Sequence, residues 1–222
     1  MIRKLISFYC KIRNINAPEG SLDLFYRGHK KAVGGLWEEI GQLQFDFMLS
    51  QGLRPHHVFL DVGCGALRGG IHFIQYLNKS NYLGIDKNKC WVEAGIKNEL
   101  GRELLDEKNP EFVFSRKFEF NKFSKIPDYA VAQSLFTHLN HSDVELCLKN
   151  LRKFVNSNCF FCATFLETDA TEQNVKKSHS HRVFQYTKDQ MLEFGEKNGW
   201  IANYIGEWKH PRNQKMMLYI AR

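Results

Sequence analysis

The sequence predicts an open α/β sheet of seven strands, covered by helices on both faces and ending in one reversed strand. Three observations carry this. From Val58 onward, apolar strand-like runs alternate with helix-patterned segments, the arrangement of parallel strands joined by crossover helices. A glycine turn, Gly63-Cys64-Gly65, directly follows the first run. Near the end, residues 200–208 and 215–221 both read as strands, with only Lys209 to Gln214 between them. No crossover helix fits in that gap, so the last strand must run antiparallel to its neighbours.

Taken in order, the strands fall near 57–62, 81–86, 111–115, 128–134, 159–166, 200–208 and 215–221. Helices are expected near 68–79, 88–107, 141–155 and 187–198, preceded by one over 36–50, where Leu36, Ile40, Leu43, Phe47 and Met48 recur at helical spacing. His141-Ser142-Asp143 opens the 141–155 helix, with His141 or Ser142 as its cap. A chain of 222 residues with 43% hydrophobic content can bury one substantial core, which favours a single domain over 36–222 with residues 1–35 as an extension. Within that extension, Lys11 and Arg13 interrupt the apolar run that begins at Ile2, and nothing later is long enough to span a bilayer. The first residues read as a short amphipathic helix able to touch an anionic membrane surface, and 14–35 as a loop.

A net charge of +7 points to an anionic partner, with nucleic acid, phosphorylated metabolites, glycans and acidic membranes all candidates. The lysines are spread from Lys4 to Lys215, so no single basic block selects among them. Six scattered cysteines (Cys10, Cys64, Cys90, Cys147, Cys159, Cys162) suit a reducing cytoplasm better than a disulfide framework. Cys159-x-x-Cys162 has metal-site spacing, but it lies in a strand whose alternation sends residues three apart to opposite faces. Two buried thiols are expected there.

The glycine turn is more selective than it first looks. A dinucleotide turn wants glycine where this chain has Arg68, and the glycine arrives one residue late, at Gly69. Asp61, two positions before Gly63, would repel a pyrophosphate and favour a cation. Asp86 closes the second strand about 20 residues on, where a carboxylate accepts hydrogen bonds from ribose hydroxyls.

Together, Asp61-x-Gly63-x-Gly65, Gly84-Ile85-Asp86 and the segment from Tyr129 to Leu139 resemble the successive motifs of class I S-adenosylmethionine-dependent methyltransferases. The resemblance covers roughly residues 36–222. It implies a Rossmann-like sheet in the order 3-2-1-4-5-7-6, with S-adenosylmethionine as methyl donor and S-adenosylhomocysteine as product. It implies further that Gly63, Cys64 and Gly65 line the cofactor, that Asp61 faces its methionine portion and that Asp86, beside Lys87, binds the ribose. Glu119 and Phe120 are the candidates near the adenine, and Gln133 closes the fourth strand at the cofactor.

For the acceptor, His138 is the first candidate for a general base, with His210 and His181 behind it; Ser134, Arg212, His179 and Trp37 are candidate substrate contacts. His179 and His181, with Glu167, have a spacing that a metal would also accept, but methyl transfer needs none and no metal is expected. The segment 167–186 emerges at the carboxyl edge of the sheet and reads as a lid. The chain resembles small enzymes that O-methylate saccharides or related metabolites in bacteria. An RNA or protein methyltransferase and a non-catalytic cofactor-binding module are the alternatives. Gln133-Ser134-Leu135-Phe136, standing where base-modifying enzymes carry an Asn/Asp-Pro-Pro-aromatic motif, favours an oxygen acceptor.

Overall fold

A computed structural model of the chain describes residues 20–171 and 176–222. The helix read over the first residues, and Cys10 with it, lie outside the described residues. Seven strands form one sheet: β1 (Phe59–Val62), β2 (Tyr82–Asp86), β3 (Glu111–Phe114), β4 (Tyr129–Ala132), β5 (Phe160–Phe165), β6 (Trp200–Gly206) and β7 (Lys215–Ala221). Their order is β3-β2-β1-β4-β5-β7-β6, with β7 antiparallel to both neighbours and the other six parallel. The order reverses between β1 and β4, which places the ligand crevice at their carboxyl ends.

Strand alternation divides the core in two. Leu60, Val62, Ala130, Phe161 and Ala163 pack on one face with Val144, Cys147, Leu148 and Leu151 of α7 (His141–Phe154) and with Met191 and Phe194 of α8 (Lys188–Lys197). Phe59, Val131 and Cys162 pack on the other, against α3 (Trp37–Ser50), α4 (Gly70–Tyr76) and α5 (Lys89–Gly95). Cys159 and Cys162 therefore part to opposite faces as expected, and burial pushes both thiols up to about 12. Asp61 shares the face of Phe59 two residues on, so the same alternation aims its side chain at the α3/α4 side of the crevice.

Three elements differ from the sequence expectation. The long helix over 88–107 is interrupted: a π turn over Ile96–Leu100 follows α5, and Gly101, at φ 74°, starts α6 (Gly101–Lys108). α7 is capped by Asn140, whose side chain accepts from the Asp143 N–H at 3.0 Å, rather than by His141 or Ser142. The described part of the segment read as a loop holds two short helices, α1 (Ser21–Arg27) and α2 (His29–Ala32). This strap is fastened to the body by Trp91 Nε1 donating to the Gly20 carbonyl and by Glu99, which meets His29 at 2.6 Å and Lys30 at 3.3 Å.

Gly95 shows how closely α5 seats on the glycine turn, because a Cβ there would run into the Ala66 carbonyl. Alanine gains about 1 kcal/mol of helix propensity over glycine, but overpacking against fixed backbone costs about 1–3 kcal/mol. Gly95→Ala is thus expected to destabilise by up to about 2 kcal/mol in urea unfolding, without the gain of about 1 kcal/mol that an exposed helical glycine would show.

Candidate active site

A cavity of about 610 Å³ opens at the carboxyl ends of the strands. That volume is in the range of small-molecule sites. Its floor is made by the turns after β1, β2 and β4: Gly63 to Gly65, Asp86 to Asn88, and Gln133 to Leu135. Its roof is made by the strap (Arg27, Ala32, Val33, Gly34) and by the stretch from Lys177 to His181 with Val183.

Gly63 and Gly65 both have left-handed backbones, φ 77° and 55°, which side chains rarely tolerate. A Cβ on Gly65 would also lie 2.9 Å from Val33 Cγ1, so the strap rests directly on the turn. Asp86 rivets this floor: its Oδ2 accepts from the Gly65 N–H at 2.9 Å and its Oδ1 from the Asn88 N–H at 2.7 Å. Asp61 lies deeper, accepting from the Tyr82 hydroxyl at 2.9 Å. Burial raises its carboxyl to about 7, with the Asp86 charge adding to the rise and Tyr82 and Arg68 opposing it. Asp86 is also raised, again by burial first. Two buried carboxyls at one wall form a site that gains from a cation.

Cys64, Lys87, Gln133, Ser134, His138, His179, His181 and Arg212 all line the cavity. Four other candidates, Glu119, Phe120, Trp37 and His210, lie outside its lining. Phe120 is 1% exposed in the core, and Glu119 turns to solvent with Lys122 at 3.0 Å and Ser115 at 2.9 Å. The reason is the left-handed backbone at Phe118 (φ 54°), which reverses the loop and presents Ser115, Arg116 and Phe118 to the cavity instead. Trp37 is buried away from the cavity, edge-on to His29 and beneath the Lys30 ammonium, and so braces the start of α3.

His210 is buried behind the wall, stacked on Trp208, with Gln133 Nε2 3.0 Å from its Nε2 and the Arg212 N–H donating to its Nδ1. Burial, with Arg68 and Arg212 nearby, lowers it to about 4. It is a support for Gln133 and does not face an acceptor. Glu167 accepts from the Tyr204 hydroxyl at 2.8 Å.

Arg212, at the cavity wall, donates from Nη2 of its guanidinium to the Gly34 carbonyl. Arg68 performs the same service on either side of it: Nη1 donates to Val33 at 3.1 Å and Gly35 at 2.9 Å, while Nη2 donates to Gln133 Oε1 at 2.6 Å. Burial and the neighbouring Arg212 charge lower the Arg68 guanidinium to about 10. Three consecutive strap carbonyls are thus clasped by two arginines. Sequence reasoning saw Arg68 only as a misplaced glycine. Gln214 was missed outright, although its amide links Thr164 Oγ1 at 2.7 Å and Ser134 Oγ at 2.9 Å and so ties the β6–β7 loop to the end of β4.

On the roof side, His138 closes a 3₁₀ turn (Phe136–His138), and its Nδ1 lies 2.7 Å from the Arg182 carbonyl. A carbonyl only accepts, so Nδ1 carries a hydrogen, and in the neutral ring the lone pair is on Nε2. His141, next in line, packs on Tyr186 and Phe194 as a structural residue. His181 bridges the two halves of the roof, with Nε2 3.2 Å from Asp23 Oδ2 and Nδ1 3.3 Å from Arg27 Nη1.

No protein-family model matches the chain. Solved structures share its fold. Magnesium protoporphyrin IX methyltransferase from Synechocystis PCC 6803, with S-adenosylmethionine bound, is 13% identical, with a TM-score of 0.59 over 82% of this chain and 81% of that one. A putative O-methyltransferase from Nostoc punctiforme is 12% identical, with a TM-score of 0.62 over 86% of this chain and 58% of that one. Human N-acetylserotonin methyltransferase, also with S-adenosylmethionine, is 10% identical, with a TM-score of 0.64 over 96% of this chain and 62% of that one. The chain has the class I methyltransferase fold, with the reversed β7 that its sequence predicts.

Proposed function

We propose that this chain is an S-adenosylmethionine-dependent methyltransferase acting on the hydroxyl of a small molecule or saccharide. The observation that carries this reading is the buried pair Asp61 and Asp86 on either side of a left-handed glycine turn, at the carboxyl ends of β1 and β2. The residues fit the cofactor: a side-chain-free cradle at Gly63 and Gly65, a carboxyl that gains from a positive ligand, and Asn88, whose buried Nδ2 has no hydrogen-bond partner among the described residues. Asp61 faces the methionine portion, Asp86 the ribose, and Phe118 with Ser115 the adenine end. S-adenosylmethionine supplies a methyl group on a sulfonium, which departs as a neutral thioether.

The protein's share of the reaction is alignment, exclusion of water and removal of one proton. The strap and the stretch from Lys177 to His181 cover the cavity. His138 Nε2 takes the acceptor proton, while the Arg182 carbonyl holds the ring in the required tautomer. Arg27, Lys177, His179 and His181 give the roof a basic character that suits an acceptor bearing negative charge. Enclosure between strap and loop favours a small acceptor over a folded nucleic acid.

Calorimetry with S-adenosylmethionine tests the reading. Binding with a dissociation constant well below millimolar, lost in Asp86→Ala, is the expected result. No heat at millimolar ligand would leave the fold as a scaffold without its cofactor.

A further inference from the structure

We propose that Arg68 and Arg212 form a carboxylate clamp that selects a methyl donor whose α-carboxylate is intact; the clamp rests on the methyltransferase reading. Arg68 is 7% exposed and lines the cavity. Its guanidinium gives N–H groups of Nη1 and Nη2 to the Val33, Gly35 and Gln133 oxygens, whereas its buried Nε has no hydrogen-bond partner among the described residues. A donor is left over at the cavity wall. A second cation shares the place, because a Cβ on Gly34 would lie 3.0 Å from Arg212 Nη1 and 3.9 Å from Arg68 Nη1. Among the described residues, both arginines meet carbonyl oxygens and neither forms an ion pair.

Two neighbouring guanidiniums, one of them buried, gain from an anion that dipoles alone do not replace. Asp61 decides which anion fits. It lines the same cavity, and its carboxyl and the Arg68 guanidinium feel each other's charge without pairing. A ligand that sets a cation against Asp61 and an anion against Arg68 must carry the two charges only a few bonds apart. That is the pattern of an α-amino acid, and the methionine portion of the donor supplies it. The fork of an arginine matches a carboxylate through paired donors, and Arg212 adds a second set.

Calorimetry comparing S-adenosylmethionine with its decarboxylated analogue, which keeps both the sulfonium and the amine, tests the clamp. The wild-type chain is expected to bind the analogue on the order of 10²-fold more weakly. Arg68→Gln should cut that preference to about threefold or less, and Arg212→Gln should cut it by roughly tenfold. The preference is the readout because a looser strap would weaken both ligands together and leave their ratio unchanged. Wild-type protein that binds both ligands alike overturns the proposal, and so does a folded variant of either arginine that keeps the wild-type preference. Should Arg68→Gln fail to fold, Arg212→Gln decides by the same ratio. Wild-type protein that binds neither ligand defeats the methyltransferase reading and the clamp with it, whereas the other failures leave that reading standing.

Discussion

Asp61→Asn is expected to weaken S-adenosylmethionine binding on the order of 10²-fold at pH 8 while making the ligand-free protein more stable. The two effects share one cause. Asp61 is buried, and its folded carboxyl titrates at about 7 against an unfolded value of 3.8. Between those values the folded chain holds a proton that the unfolded chain has released, so stability falls as pH rises through the window and is flat above it. A shift of this size corresponds to roughly 4 kcal/mol across the window. The substituted asparagine does not ionise, and its carbonyl still accepts from Tyr82, so this contribution to the slope disappears. In the wild type, a positive ligand recovers the cost by holding the carboxylate ionised, so its affinity should climb with pH until about 7. Urea unfolding between about pH 4.5 and 8, run on both proteins, separates these behaviours. An Asp61→Asn protein that keeps the wild-type slope would remove Asp61 as the buried acid, and one that keeps wild-type affinity would remove it as the cation's partner.

The second large effect is on turnover. His138→Ala is expected to lower kcat on the order of 10²-fold, with cofactor affinity unchanged, because general-base removal is a transition-state loss. The acid limb of the pH–rate profile should vanish with the imidazole. Loss of the Arg182 tie loosens the roof as well, which would appear in KM rather than in the pH profile. A variant with wild-type kcat and an intact acid limb would move the base elsewhere, with His181 or His179 on the same roof as the next to replace.

The strands were legible because their signal is local. An apolar run bounded by turn residues needs no knowledge of the rest of the chain, and the six-residue gap before β7 excluded a crossover by length alone. The glycine turn and Asp86 were legible because close approach to a ligand restricts residue type at fixed spacing. What escaped depends on partners far apart in sequence. Arg68 meets carbonyls 33 and 35 residues away, and Gln214 meets Ser134 across 80. Glu119 and Phe120 exchanged places with Phe118 and Ser115 because one residue adopts φ 54°, which periodicity cannot foresee in a phenylalanine. His210 read as a loop residue, but Trp208 Nε1 donating to the Gln214 carbonyl folds that loop inward and takes the ring with it.

The place of β7 between β5 and β6 also bears on how the chain comes off the ribosome. β6 is synthesised first, yet it has no neighbour in the sheet until β7 arrives to separate it from β5. A nascent chain that has passed Gly206 but not Lys215 therefore carries the open edge of β5 and an unpaired β6 together, the kind of exposed strand pair that chaperones capture.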